Sequence, residues 1–229
     1  WTPRLSHSWS PPQPPFLPND VLWRAIGESP DLIDQTNAAV ATSTEHTWIF
    51  PVLPHDMEGG PNGIFELTKS APDVDVLYCD ETAPGFENLT PIAPGRHSLL
   101  GYNQLGRSVL IRRDAWLRVG GLDRTMGEAA IADLLLRLVE SGASFARIDA
   151  VLAWPQPPGP LHQRASEQAM QRRGITSKST VVSSQVIDWR VTLPSPQPSV
   201  DILIPTRDRL DLLRLCIESI ASHTDYENY

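Results

Sequence analysis

The sequence has little of what several classes of protein require. Its 229 residues include only two cysteines, Cys79 and Cys216, too few for a disulfide framework or a zinc cluster, so a reducing compartment is the default. No apolar run approaches the roughly 20 residues that span a bilayer. A formal net charge of -8 argues against a surface that coats nucleic acid and against a polybasic membrane patch. These shortages favour a cytoplasmic protein.

What is present fits a folded protein. A hydrophobic content of 41% with 20% charged residues is typical of a globular chain rather than a disordered one. The length allows one good-sized domain, or one domain and a fragment of another. The first residues contain neither a starting methionine nor the apolar core of a signal peptide. We therefore expect the chain to be cut from something longer.

Prolines divide the chain. The 22 prolines cluster at Ser10–Pro18, Trp154–Pro160 and Leu193–Ser199, where neither a helix nor a sheet ladder can continue. We predict an extended or disordered segment at residues 1–20, and a helical, proline-rich linker at 161–199.

Short apolar runs alternate with helical patterns between the prolines. Helices are predicted from Asp31, from Pro61 to about Ser70, after Arg113, and around a face formed by Ile131, Leu134, Leu135 and Leu138. The predicted strands are 21–26, 47–53, 74–79, 106–113 and 145–154. Continuous apolar strands separated by helices predict an α/β fold with a mostly parallel sheet flanked by helices.

Carboxylates follow two of these predicted strands. Asp80 and Glu81 come after the strand 74–79, and Asp56 comes after the strand 47–53. In open α/β sheets, ligands bind beyond the carboxyl ends of the strands. Carboxylates meeting there could hold Mg²⁺ or Mn²⁺ against a diphosphate. The alternative is that they cap helices or lie in solvent.

The C-terminal stretch "VDILIPTRDRLDLLRLCIESIASHTDYENY", Val200 to Tyr229, reads as a strand, a charged turn and an amphipathic helix. It resembles the opening of family-2 glycosyltransferases, inverting enzymes with the GT-A fold that use nucleoside-diphosphate sugars. The resemblance implies nucleotide contacts at Pro205, Thr206, Arg207 and Asp208. Asp208 could instead cap the helix.

Upstream segments resemble the rear part of the same family. They are "DVDVLYCDE", "NQLGRSVLIRRDAWLRVGGLD" and "GEAAIADLLLRLVESGA". The resemblance implies a partial, GT-A-like (Rossmann-like) module at 21–160, and a second module whose first strand and helix occupy 200–229. This is the tandem arrangement of proteins that assemble polysaccharides or O-antigen.

The resemblance also implies an activity and its partners. A hexosyltransferase-type enzyme of cell-surface polysaccharide synthesis would move a sugar from a nucleoside-diphosphate sugar onto a glycan or lipid-linked acceptor, without nucleic acid. A divalent metal, Mn²⁺ or Mg²⁺, would bind at Asp56, while Asp80 and Glu81 would contact the sugar or nucleotide. Asp133 would serve in acid–base catalysis. The location would be cytoplasmic, and association with the inner face of the membrane stays open.

Departures from the family pattern support a second interpretation. Where the family reads Asp-His-Asp-Asp, this chain keeps only Asp56 of the acids, between substitutions at Pro54 and Met57. Ile131 stands where the family has its catalytic acid, and isoleucine cannot take a proton from an acceptor hydroxyl. Asp133 could then be only a capping or salt-bridging group. The alternative function is a non-catalytic glycan-binding or scaffold module derived from a glycosyltransferase.

Overall fold

The computed structural model describes residues 21–25, 29–44, 47–52, 73–83, 86–89, 94–95, 97–102, 105–106, 108–153, 163–183 and 186–229. Three predictions lie outside these residues: the segment 1–20, the helix from Pro61 to Ser70, and the metal site at Asp56. The chain divides into two compact units, residues 1–190 and residues 191–229.

A mixed β-sheet organises the first unit. Its strands are β1 (Val21–Ala25), β2 (Trp48–Val52), β3 (Val76–Ala83), β4 (Phe86–Leu89), β5 (Val109–Arg112) and β6 (Phe145–Ala153). The strand order is β1-β2-β5-β3-β4, and β6 also pairs with β3. The strands predicted near these positions are therefore confirmed, and β3 is the strand with the most neighbours.

The expectation of a mostly parallel sheet is wrong for the described strands. Two pairings, β1 with β2 and β3 with β6, are parallel. Three pairings are antiparallel, because β5 runs opposite to both β2 and β3, and β4 runs opposite to β3. A continuous apolar run indicates a strand buried on both faces, but it does not fix the direction in which the strand runs.

Helices cover the sheet. Those that begin at Pro30, Arg113 and Ala130 confirm predicted helices, whereas the short helix Ser98–Gly101 was not predicted. They are α1 (Pro30–Thr42), α2 (Ser98–Gly101), α3 (Arg113–Arg118), α4 (Ala130–Glu140) and α5 (Gln163–Arg172). Ser29 caps α1, since its Oγ accepts a hydrogen bond from Leu32 N at 3.3 Å. Within the described ranges, no helix has both the length and the apolar character that crossing a bilayer requires.

The core of the first unit lies where these helices meet the sheet. Leu134 and Leu138 of α4 are fully buried and Leu135 is nearly so, which confirms the apolar face predicted for this helix. Trp116 of α3 is among the largest fully buried side chains. Burying one large apolar side chain contributes about 1.5–3 kcal/mol to the stability of the fold. The short helix α3 is therefore held in place mainly by its packed face.

The segment expected to be a helical, proline-rich linker contains regular structure beyond a helix. After α5, strands β7 (Ser177–Ser183) and β8 (Val186–Val191) form a two-stranded sheet. Ile187 is buried, and Trp189 packs against the core of the first unit. The sequence did not reveal this sheet because β7 is mostly polar, and in β8 two charged residues interrupt a run with one buried residue.

The second unit contains one helix, α6 (Leu210–His223). The predicted helix is confirmed, but the strand predicted just before it does not form, since no strand is assigned within residues 192–229. Val200 N–H donates instead to the Asn228 carbonyl at 2.9 Å. A strand needs a neighbour to pair its backbone groups, and this unit supplies none.

Candidate functional site

Asp80 and Glu81 lie inside β3 rather than after it. The strand continues to Ala83, because β6 pairs with it up to Thr82. The prediction that both carboxylates follow the strand end is therefore wrong. Successive side chains of a strand point to opposite faces, and these two carboxylates accordingly contact different neighbours.

Asp80 is bound by an arginine of the adjacent strand. Arg147 of β6 donates from Nε to Oδ1 at 2.7 Å and from Nη2 to Oδ2 at 2.6 Å. This two-bond geometry is the strongest common arrangement of an arginine with a carboxylate. Burial raises the pKa of the Tyr78 hydroxyl on the same strand, and the positive charge of Arg147 acts in the opposite direction. Any ligand of Asp80 must compete with Arg147.

Glu81 is buried against the loop that leads into β5. Its residue is 3% exposed, and Oε1 accepts a hydrogen bond from Ser108 N at 2.5 Å. Gly106, with φ of +66°, packs so closely that an added Cβ would lie 2.5–2.7 Å from the atoms of this carboxyl group. Glycine is required here both by the left-handed backbone and by the close approach. Glu81 therefore holds the loop against β3.

Asp133 is buried between two arginines. The residue is 1% exposed; its Oδ2 accepts from Arg137 Nε and its Oδ1 from Arg172 Nη1, both at 2.8 Å. Arg137 also donates to the carbonyls of Val119 and Gly121, at the turn that ends α3. The carboxylate thus orients a side chain that fixes this turn.

The cluster extends to Glu140, which joins α4 to α5. Arg172 Nε donates to Glu140 Oε2 at 2.7 Å, and Arg173 Nε donates to Oε1 at 3.1 Å. Burial disfavours the charged form of Arg172, but hydrogen bonds to Glu140 and Asp133 outweigh it and raise the pKa of the guanidinium. The contacts match the salt-bridging alternative for Asp133; its catalytic role stays a prediction.

The residues predicted to contact the nucleotide in the second unit are exposed. They are Pro205, Thr206, Arg207 and Asp208. Asp208 has a φ of +52° and precedes the helix cap, which is Arg209. The interpretation of Asp208 as the cap is therefore wrong, because the helix begins at Leu210 and Arg209 occupies the cap position.

The predicted site residues that the structure describes are divided between the two units. Asp80, Glu81 and Asp133 belong to the first unit, and residues 205–208 belong to the second. Among the described residues, no set of three or more His, Cys, Asp or Glu side chains could hold a metal ion. Asp80 and Glu81 do not supply a divalent-cation site by themselves, since Arg147 takes both oxygens of one and the Ser108 loop packs on the other.

Two relatives resemble the chain. Over 176 residues, the chain is 27% identical to the O-antigen biosynthesis protein RfbC of Myxococcus xanthus. The matched region covers 69% of this chain and 14% of that protein. Over 203 residues it is 27% identical to the uncharacterized protein y4gI of Sinorhizobium fredii, with 78% of this chain and 22% of that protein covered. No family model matches. The chain thus spans less than a quarter of either relative.

Sequence reasoning missed the partners of the candidate carboxylates. Arg147, Ser108 and Arg172 lie 67, 27 and 39 residues from the groups that they bind. A signal existed only for Arg147, which is one of two charged residues, with Asp149, in the apolar-rich run of β6. Neither the serine nor the arginine of a polar helix stands out in the sequence.

Proposed function

We propose that the chain is a glycosyltransferase-type module of cell-surface polysaccharide synthesis, which engages a nucleoside-diphosphate sugar and a glycan or lipid-linked acceptor. The supporting observation is the 176-residue similarity to a protein whose name places it in O-antigen biosynthesis. The α/β fold is compatible with this proposal. Two acidic residues lie in β3, the described strand that pairs with the most others. The likeness of the C-terminal stretch to family-2 glycosyltransferases adds the donor class.

The chemistry of such a module sets clear demands. An acceptor hydroxyl attacks the anomeric carbon of the sugar, its proton passes to a carboxylate, and the nucleoside diphosphate departs. In the proposal, Asp80 and Glu81 contact the sugar or nucleotide in the first module, and Thr206 and Arg207 contact the nucleotide in the second. A divalent metal held at Asp56 would neutralise charge on the departing diphosphate. The proton acceptor would be Asp133.

A second candidate function is a non-catalytic module that binds glycan or organises an active neighbour. One observation favours it: arginines occupy both oxygens of Asp80 and both oxygens of Asp133. Ile131, at the position of the family's acid, offers no replacement. A carboxylate whose two oxygens both accept hydrogen bonds from arginines must first lose a partner before it can take a proton from an acceptor hydroxyl, so turnover by this chain is disfavoured.

Calorimetry on the full chain separates the two functions. The chain is titrated with uridine, guanosine and thymidine diphosphates, each with and without Mn²⁺. A donor-binding module binds one of them in a metal-dependent way and loses this in Asp56→Ala. The control Asp114→Ala removes a carboxylate that is 91% exposed and leaves binding unchanged. Absence of binding for all three nucleotides overturns the donor-binding proposal in favour of the second function.

A transfer assay then decides whether the module turns over. Sugar release from the matching nucleoside-diphosphate sugar is measured for the wild type, Asp56→Ala and Asp133→Asn. Binding without release identifies a relic of the enzyme that keeps its donor site. Equal release in wild type and Asp56→Ala removes Asp56 from the mechanism.

A further inference from the structure

A cavity separate from the candidate carboxylates lies between α5 and the β7–β8 sheet. Its volume is about 740 Å³, and it is bounded by the end of α5, the turn that follows it, the start of β7, and Trp189 of β8. Volumes of roughly 300–1,000 Å³ are usual for small-molecule sites. Asp80, Glu81 and Asp133 are not among the residues that line it.

The walls of this cavity are held in place by hydrogen bonds. Ser179 Oγ of β7 donates to Glu167 Oε1 of α5 at 2.6 Å, and Gln163 Nε2 donates to Ser179 Oγ at 2.6 Å. On the other side, Trp189 Nε1 donates to the Leu100 carbonyl at 2.9 Å, which fixes the indole ring. A site with walls already fixed loses little conformational entropy when a ligand binds.

The lining combines apolar surface with many neutral hydrogen-bonding groups. Met170, Ile175 and Trp189 supply the apolar surface. Gln171 and Thr176 add an amide and a hydroxyl, and both are exposed. The indole ring of Trp189, beside the amide of Gln171 and the hydroxyl of Thr176, suits a ligand with one apolar face and hydroxyl groups around its edge.

Charge in the lining argues against an anionic ligand. The described lining has one carboxylate, Glu167, and one ammonium, Lys178, so its net charge is zero. Binding of a diphosphate or an acidic sugar calls for several cationic donors, usually arginines in two-bond geometry. An uncharged, hydroxyl-rich ligand meets no such requirement.

We propose that this cavity, the α5–β7 cavity, binds a short segment of an uncharged oligosaccharide. The choice of saccharide among neutral hydroxyl-rich ligands rests on the proposed function in polysaccharide synthesis. Through this cavity the module binds the glycan chain independently of the side chains proposed to contact the nucleotide sugar. Stacking on Trp189 and hydrogen bonds from Gln171 and Thr176 provide the recognition.

The test uses the full chain on an array of neutral hexose, N-acetylhexosamine and acidic oligosaccharides, followed by calorimetry with the best-bound probe. Gln171→Ala and Thr176→Ala each remove one hydrogen-bonding group from an exposed position, so folding is preserved. We expect each to weaken binding about threefold or more, and the double variant about tenfold. The controls Gln168→Ala, on the same helix as Gln171, and Thr180→Ala, on β7, which begins just after Thr176, lie outside the lining and bind as the wild type does.

Lys178→Gln tests the charge of the ligand. It keeps hydrogen-bonding capacity and removes the positive charge, so binding of a neutral probe changes less than about twofold. Preference for acidic probes, lost in Lys178→Gln, overturns the proposal, as does binding that the Gln171→Ala/Thr176→Ala double variant leaves unaltered. Failure to bind any oligosaccharide overturns it as well.

The outcome is independent of the nucleotide titrations. Saccharide binding with no nucleotide binding supports the cavity and removes the donor-binding function. Nucleotide binding with no saccharide binding overturns the cavity proposal and leaves the donor-binding function standing.

Discussion

Asn37 of α1 and Leu122, just beyond the turn that ends α3, exchange two hydrogen bonds. Asn37 Nδ2 donates to the Leu122 carbonyl at 2.8 Å, and Leu122 N–H donates to Asn37 Oδ1 at 2.9 Å. One amide side chain thus satisfies both backbone groups of a residue 85 positions away. The pair connects α1 to the turn after α3, where Arg137 also donates to the Gly121 carbonyl.

The first prediction concerns this pair. Asn37→Asp keeps the acceptor for Leu122 N–H but places a carboxylate oxygen against the Leu122 carbonyl, where the donor used to be. Leaving a partly buried acceptor unpaired costs about 1–3 kcal/mol, and we expect that loss in the free energy of unfolding from urea titration. Gln35→Glu makes the same chemical change at an exposed position of α1 and should stay within about 0.5 kcal/mol of the wild type. Equal losses in both variants would contradict the role given to the pair.

The second prediction compares two glycines with similar backbones. Gly121 has a φ of +70° and Gly142 a φ of +76°, so alanine is strained at both by about 1 kcal/mol. At Gly142 the added Cβ meets open space, whereas at Gly121 it would overlap Asn37 Oδ1 and lie 2.9 Å from Trp116 Nε1. We expect Gly121→Ala to lower the unfolding free energy by about 2 kcal/mol more than Gly142→Ala.

The result for the combined variant tests the cause. In Asn37→Ala the obstructing oxygen is gone, so the additional cost of Gly121→Ala should shrink in that background. An additional cost that persists undiminished would mean that Trp116, not Asn37, meets the new methyl group.

Local features of the fold could be predicted from the sequence. The apolar runs predicted β1, β2, β3, β5 and β6, and the spacing of Leu134 and Leu138 predicted the face of α4. These signals act within a few residues, and the chain carries them in its own pattern.

Tertiary relationships could not be predicted in the same way. The direction of β5 depends on how the preceding segment crosses the sheet, and the composition of the strand does not record it. The sequence predicts Asp80 and Glu81 as acidic residues that follow a strand, whereas they lie inside β3. Their partners, Arg147 and Ser108, become neighbours only when β6 and β5 pair with β3. A carboxylate in the sequence is therefore a candidate ligand until the cations around it are known.

The third prediction concerns the buried carboxylate of Asp133. Asp133→Asn leaves Arg137 and Arg172 facing each other without the negative charge between them. Removing one partner of a buried ion pair costs about 3–5 kcal/mol, and we expect a loss of that order in the unfolding free energy. Glu128→Gln removes an exposed carboxylate just before α4 and should have little effect.

A double-variant cycle supports the assignment. If Asp133 acts by compensating Arg172, then Arg172→Gln costs less in the Asp133→Asn background than in the wild type. Strictly additive losses would show that the two groups do not stabilise each other, and would leave the catalytic prediction as the better account of Asp133.

The last prediction concerns the stability of the fold in acid and its dependence on Asp75, the residue just before β3. Burial alone would raise the pKa of this carboxyl group, but hydrogen bonds from Ser144 and from Arg118 lower it below its ordinary 3.8. Ser144 N–H donates to Oδ2 at 2.9 Å, and Arg118 Nη2 lies 2.9 Å from Oδ1. Because the pKa is lower in the folded than in the unfolded chain, the ionised group stabilises the fold.

That stabilisation is complete above the unfolded pKa and disappears as the pH falls through the folded value. We therefore expect the wild type to exceed Asp75→Asn in unfolding free energy at about pH 7, and the difference to narrow steadily below about pH 4. Urea titrations across this pH range measure the difference in unfolding free energy directly. The contributions of the acidic groups that both chains share cancel in this difference. Asp114→Asn, at an exposed carboxylate, should show a small difference that varies little with pH. A gap for Asp75→Asn that stays constant into the acid range would mean that the asparagine loses packing or hydrogen-bond geometry rather than charge.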